Sequence, residues 1–184
     1  MYKILFIFFI LNFYKPVFSF TKEDVISQMQ LTNNLSFNFI QTINEKNENG
    51  KCIIKYPKKI WCRYDNSNKK IIVSNGKSLV IKNVNTGSYY RYPLNKTPLV
   101  YLLDKEYLIS KMNTLEPREI DNKYLNFTFF ENNSEINVFF DKISLNLVGW
   151  QTEDIYQNLA ITFISSVKIN QKINNKIFIL PKNN

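Results

Sequence analysis

The stretch "CIIKYPKKIWCRY", residues 52–64, places the only two cysteines of the chain, Cys52 and Cys62, five positions on either side of Pro57. Apolar and β-branched runs at 52–56 and 60–64 flank a Pro57-Lys58-Lys59 break, the pattern of a short β-hairpin. In that register residue 52 faces residue 62. Directly opposed residues on antiparallel strands bring their Cβ atoms to about 4.5–5.5 Å, close to what a disulfide needs. A cross-strand bridge is geometrically possible; in a reducing compartment two buried free thiols are the better expectation.

The N-terminus bears on the compartment. Residues 1–19 carry Lys3, an apolar run from Ile4 to Phe13, and small residues near Val17-Phe18-Ser19. That is the layout of a secretory signal peptide, and its apolar run falls short of the roughly 20 residues of a membrane span. No cysteine stands directly after it to accept a lipid. The expectation is an exported protein that occupies residues 20–184 as one domain, with Cys52 and Cys62 bonded.

The 184-residue chain has a net charge of +9, and removal of residues 1–19 takes away Lys3 and Lys15, leaving about +7. Lysines are scattered among asparagines and arginine occurs only at 63, 91 and 118. Nucleic-acid binders gather such charge on one face with interleaved aromatics, so no nucleic-acid partner is expected. The densest basic cluster, Lys55–Arg63, lies in the hairpin and suits an acidic partner or anionic head groups.

Beyond the hairpin the pattern is mostly strand. Thr21-Lys-Glu-Asp24 reads as a capping box, and Val25, Ile26 and Met29 continue it as a helix over 22–32. Leu35, Phe37 and Phe39 alternate with polar residues, as do Leu125, Phe127 and Phe129; further period-2 runs cover 134–140, 143–150 and 157–168. Turn signals stand at 74–76, 85–87 and 132–134. Short strands at this spacing predict a mainly β protein, one antiparallel sheet that curls or closes. Thr97-Pro98 followed by Leu99, Val100, Tyr101, Leu102 and Leu103 interrupts it: a short apolar helix with a cap and a proline at its first position. A second short helix is expected at 105–112. These helices plug the open side of the sheet or act as a lid over a cavity.

Catalysis has little to work with. The chain has no histidine, which removes the commonest general base and the usual triads. The two cysteines match no zinc spacing, so no metal is expected, and four glycines leave no phosphate-binding loop or other cofactor signature. Asp104 with Glu106, or Glu116 with Glu119, are the nearest approach to acid/base pairs, and such acids are commonly solvated surface. Binding is favoured over turnover, with no catalytic residue and no cofactor.

Phe39-Ile-Gln-Thr42, Pro57 closing the hairpin, Ile71 to Leu79, and Asn95-Lys-Thr-Pro-Leu-Val-Tyr-Leu-Leu103 together resemble the periplasmic outer-membrane lipoprotein carrier family, LolA. The resemblance implies an incomplete antiparallel β-barrel, or half-barrel, closed by short lid helices, with an N-terminal helix. It implies a monomeric carrier that takes acylated lipoproteins from an inner-membrane ABC transporter and passes them to an outer-membrane receptor. By the same resemblance Ile60, Leu99, Leu102 and Leu103 belong to acyl-chain transfer and the lid, with Phe37 and Phe39 as cavity lining or core. The family often carries an arginine just before the hairpin proline, where it holds the lid closed. Here that gating position is Tyr56, which leaves Arg63 or Lys59 to contribute the charge. Two other readings stand beside this one: the same half-barrel serving another lipid or a structural role in the envelope, and an enzyme using isolated carboxylates.

Overall fold

The computed structural model describes residues 21–65, 69–132, 134–154 and 156–183. The expected signal segment, residues 1–19, lies outside them. Helix α1 (Lys22–Leu31) begins where Thr21 and Asp24 form the reciprocal capping box: the Asp24 carboxylate accepts from the Thr21 backbone N–H at 2.8 Å and the Thr21 hydroxyl accepts from the Asp24 N–H. Val25, Ile26 and Met29 form its buried face.

Five antiparallel strands then run down one side: β1 (Asn34–Ile43), β2 (Lys46–Lys55), β3 (Lys59–Tyr64), β4 (Lys70–Asn75) and β5 (Ser78–Asn83), followed by β6 (Tyr89–Pro93). The β1–β2 turn consists of Asn44 and Glu45 alone, both at positive φ, as a right-twisted two-residue hairpin requires. At the β2–β3 turn Lys58 takes the left-handed conformation, and Cys52 stands opposite Cys62 as the sequence pattern predicts.

After a 3-10 turn (Leu94–Lys96) come helices α2 (Leu99–Leu103) and α3 (Lys105–Thr114). Strands β7 (Arg118–Ile120), β8 (Tyr124–Glu131), β9 (Ser134–Asp141), β10 (Leu147–Glu153) and β11 (Leu159–Ile169) follow, with a last 3-10 turn at Asn175–Phe178. Among the described residues the eleven strands form one sheet in the order β6-β5-β4-β3-β2-β1-β11-β10-β9-β8-β7. The first and last strands meet in its middle, and β6 and β7 are its free edges. Because α2 and α3 connect those two edges, the helices span the open side of a curved sheet that does not close into a barrel.

The sheet bends at irregularities in pairing, between Ser36 and Asn38 against β11 and between Leu147 and Gly149 against β9. Inward-facing residues of the strands and one face of each helix make a continuous core, with Phe127, Ile136, Val138, Leu103 and Met112 fully enclosed. Phe127 meets Phe140 edge to face, ring centroids 5.9 Å apart.

Two local expectations fail for identifiable reasons. A strand over 143–150 starts only at Leu147, because the Asp141 carboxylate accepts from the backbone N–H groups of Ile143 and Ser144 and holds a turn, leaving Ile143 80% exposed. Thr97 does not cap α2 with its side chain: its hydroxyl donates to the Leu94 carbonyl at 2.8 Å, and Pro98 occupies the N-cap position.

Candidate functional site

A cavity of about 320 Å³ lies on the concave side of β1–β6, with Phe39, Ile60, Ile72, Leu79, Leu99 and Trp150 as its apolar walls. Strand alternation sets this lining: Ile60, Cys62 and Tyr64 of β3 face inward, while Arg63 between them faces out and is exposed. Phe39 packs edge-on against Tyr64 at 4.8 Å. The Tyr64 hydroxyl donates to Gln41 Oε1, and Gln41 Nε2 donates to the Thr162 hydroxyl, both at 3.0 Å. These three polar side chains of the wall are thus occupied with one another. Lys70 sits over the Tyr64 ring at 3.8 Å and pairs with Glu48. Burial, then the nearby Glu48 carboxylate, pushes the Tyr64 phenol well above its usual range, so it stays protonated.

Cys52 and Cys62 form a disulfide, and both contribute to the cavity wall. The bridge therefore fixes the β2–β3 pairing at the point where the wall is made. It spans 10 positions of sequence, a loop for which the chain-entropy account gives about 2–3 kcal/mol. Replacing both cysteines with alanine is expected to lower the unfolding free energy by that amount, read as a reduced urea midpoint matching that of the wild type under reductant.

Helix α2 roofs one end of the cavity. Leu99 touches the cavity, whereas Leu102 and Leu103 turn down into the core beneath. The roof is clasped by Lys58 of the β2–β3 turn: its backbone N–H donates to the Leu103 carbonyl at 2.7 Å and its ammonium pairs with Asp104 at 2.8 Å. Asp104 also caps α3 by accepting from the Tyr107 N–H at 3.3 Å. The ion pair is partly exposed, with side-chain exposures of 39% and 26%, and such pairs contribute below about 1 kcal/mol. Apolar packing of α2 carries most of its attachment.

The residues singled out from sequence separate into groups here. Ile60, Leu99 and Phe39 line the cavity; Leu102 and Leu103 lie under the roof; Phe37 is in the core, its ring 6.1 Å from that of Trp150. Tyr56 is buried, its hydroxyl has no hydrogen-bond partner among the described residues, and burial raises its pKa. Neither Tyr56 nor the outward Arg63 makes the clasp on α2. That contact belongs to Lys58, which the sequence presents only as a turn lysine. The carboxylates that the sequence offers as pairs bind separate lysines: Asp104 to Lys58, Glu116 to Lys22 and Glu119 to Lys142.

Residues 30–180 match the family model described as outer membrane lipoprotein carrier protein LolA. The chain belongs to the LolA family. Among solved structures, an uncharacterized conserved protein from Thermus thermophilus superposes with a TM-score of 0.52 at 7% identity, over 88% of this chain and 93% of that one. A putative outer membrane lipoprotein-sorting protein domain from Vibrio parahaemolyticus gives 0.47 at 7% identity, over 86% and 96%. A LolA superfamily protein from Nitrosomonas europaea gives 0.46 at 10%, over 87% and 98%. At 7% identity the first of these speaks to the fold alone. A comparison with curated proteins finds no match. The LolA assignment agrees with the open sheet and the helices across it.

Proposed function

We propose that this LolA-family chain is a periplasmic carrier that shelters the acyl chains of lipoproteins between an inner-membrane ABC transporter and the outer membrane. The observation that carries it is the apolar cavity under α2, roofed by a helix attached mainly through leucines. Its acids, Glu153 and Asp154, are shared with a polar groove beside it. Exposing an acyl chain to water costs about 0.8 kcal/mol per methylene, so a 16-carbon chain left unshielded costs on the order of 12 kcal/mol. A cavity of about 320 Å³ is at the small end of ligand pockets. Full loading therefore displaces α2, and the leucine contacts that α2 gives up keep affinity moderate enough for onward transfer. In this reading residues 1–19 are a cleaved signal peptide, residues 20–184 are the mature single-domain carrier, and Ile60, Phe39 and Leu99 meet the chain. The protein binds and releases without catalysing a reaction.

The test is release of an acylated lipoprotein from inner-membrane vesicles containing the matching transporter and ATP, with the non-acylated cargo as control. Acyl-dependent transfer into the soluble fraction is expected. No release under these conditions ends the shuttle reading and leaves the alternative, a LolA fold holding another envelope lipid, to be tested by lipid extraction of the purified protein.

A further inference from the structure

The apolar cavity does not end at its own walls. Thr97, Pro98, Glu153 and Asp154 belong both to it and to a second, polar groove of about 690 Å³ that runs outward beside α2. One bank of that groove comes from the segment leading into α2, with Asn95 and Lys96, and from Tyr101 of α2 itself; the other comes from the ends of β8–β10 and the loop after β10, with Asn132, Ser134 and Gln157. Apolar chamber and polar channel thus meet at the N-terminal end of the lid. That is the shape of a site for an amphiphile whose head leaves the chamber at a fixed place.

The charges at the junction select among heads. Glu131 in the groove is neutralised by Lys111 at 2.6 Å. Glu153 accepts from the Ser134 hydroxyl at 2.8 Å, and Asp154 accepts from the backbone N–H groups of Tyr156 and Asn158 at 2.8 and 2.9 Å. Neither Glu153 nor Asp154 has an ion-pair partner among the described residues. Both are half-buried, where a carboxylate's field is screened less than at an open surface, while Lys96 across the groove is exposed to solvent. A head that arrives with hydrogen-bond donors and no negative charge is accepted by these carboxylates; a phosphate, with negative charge and few donors, is repelled.

Resting on the carrier reading, we infer that the groove at Glu153 and Asp154 receives the peptide segment next to the acylated residue, favours neutral or basic residues there, and excludes anionic phospholipids. Acyl chain length sets the depth of binding in the chamber; the groove sets which class of head follows it. This gives a carrier in a lipid-rich envelope a means of staying free for acylated polypeptide.

The test displaces a fluorescent fatty-acid analogue from the purified protein with palmitoyl-Ser-Lys-Lys-Ser, palmitoyl-Ser-Glu-Glu-Ser or phosphatidylglycerol. The basic peptide is expected to compete roughly tenfold better than the acidic peptide or the lipid at low salt, with the ratio shrinking at high salt. In the double variant Glu153→Gln, Asp154→Asn the acidic peptide gains and the ratio falls to about twofold or less. The asparagine retains the side-chain oxygen that orders the loop at Tyr156 and Asn158, so the variant keeps that turn. Equal competition by all three in the wild type, or a ratio indifferent to salt, overturns the groove assignment while leaving the carrier reading in place. Failure of the analogue and of every competitor to bind overturns both.

Discussion

Replacing Gly50 with alanine is expected to lower the stability of the protein by about 3 kcal/mol, the upper end of what overpacking costs, a loss read from the urea unfolding midpoint. Gly50 sits in β2 opposite Phe39 of β1 and Tyr64 of β3. A Cβ there lies 2.2 Å from the Arg63 carbonyl oxygen, 2.9 Å from the Tyr64 Cα and 2.9 Å from Phe39 Cε1. Two of these three atoms are backbone, held by the β2–β3 ladder and by the Cys52–Cys62 bridge two residues away. The methyl group is accommodated only by moving β3 and by breaking the packing of Phe39 on Tyr64 at the cavity wall. Gly87 makes the contrast. A Cβ there meets nothing within 4 Å, and its positive φ of 72° is the whole obstacle, so Gly87→Ala costs about 1 kcal/mol. A midpoint for Gly50→Ala close to that of Gly87→Ala shows that β3 can shift, and with it that the wall is more pliable than its geometry implies.

The hairpin around Pro57 was legible because cysteines, proline and β-branched runs agree on one register, and local rules suffice when a turn contains its own signal. The Asn44-Glu45 turn shows the opposite case. It has no glycine or proline to announce it, and its two left-handed residues are imposed by the strands on either side. Trp150 was missed as a cavity residue for a different reason. Leu147 and Trp150 are three apart, so strict alternation sends them to opposite faces, yet both belong to the core because the pairing with β9 slips between Leu147 and Gly149. A single extra residue in a strand inverts every assignment after it. No composition or period reveals where that residue falls.

The site was legible in outline and not in its fastening. Ile60, Leu99 and Phe39 reach the cavity because an alternating strand and a short apolar helix have few ways to place them. The clasp of Lys58 on Leu103 and Asp104 joins a turn to a helix about 45 residues later, and half of it is a backbone hydrogen bond, to which side-chain identity gives no clue. At Tyr56, the position before the proline, the hydroxyl reaches no partner among the described residues, and the contact on α2 is made by Lys58, two residues along the turn.

Leu103→Ala is expected to act in opposite directions on stability and on binding. Leu103 is the last residue of α2 and its side chain is fully enclosed, so truncation to alanine costs the ligand-free protein about 3–4 kcal/mol through lost burial and the void left behind. The Lys58 hydrogen bond is to the Leu103 carbonyl and survives the change. What is lost is the apolar packing that keeps α2 closed. On the carrier reading that packing competes with the acyl chain, so weakening it raises the population of the open form, and apparent affinity for a fluorescent acyl probe rises by about tenfold or more. Urea unfolding without ligand and a probe titration on the same variant measure the two effects separately. Affinity that falls together with stability makes α2 a wall of the binding site, and the lid then contributes to holding the chain. Affinity that rises as stability falls makes α2 the occupant that the acyl chain must displace, and release becomes the return of the leucines to the core.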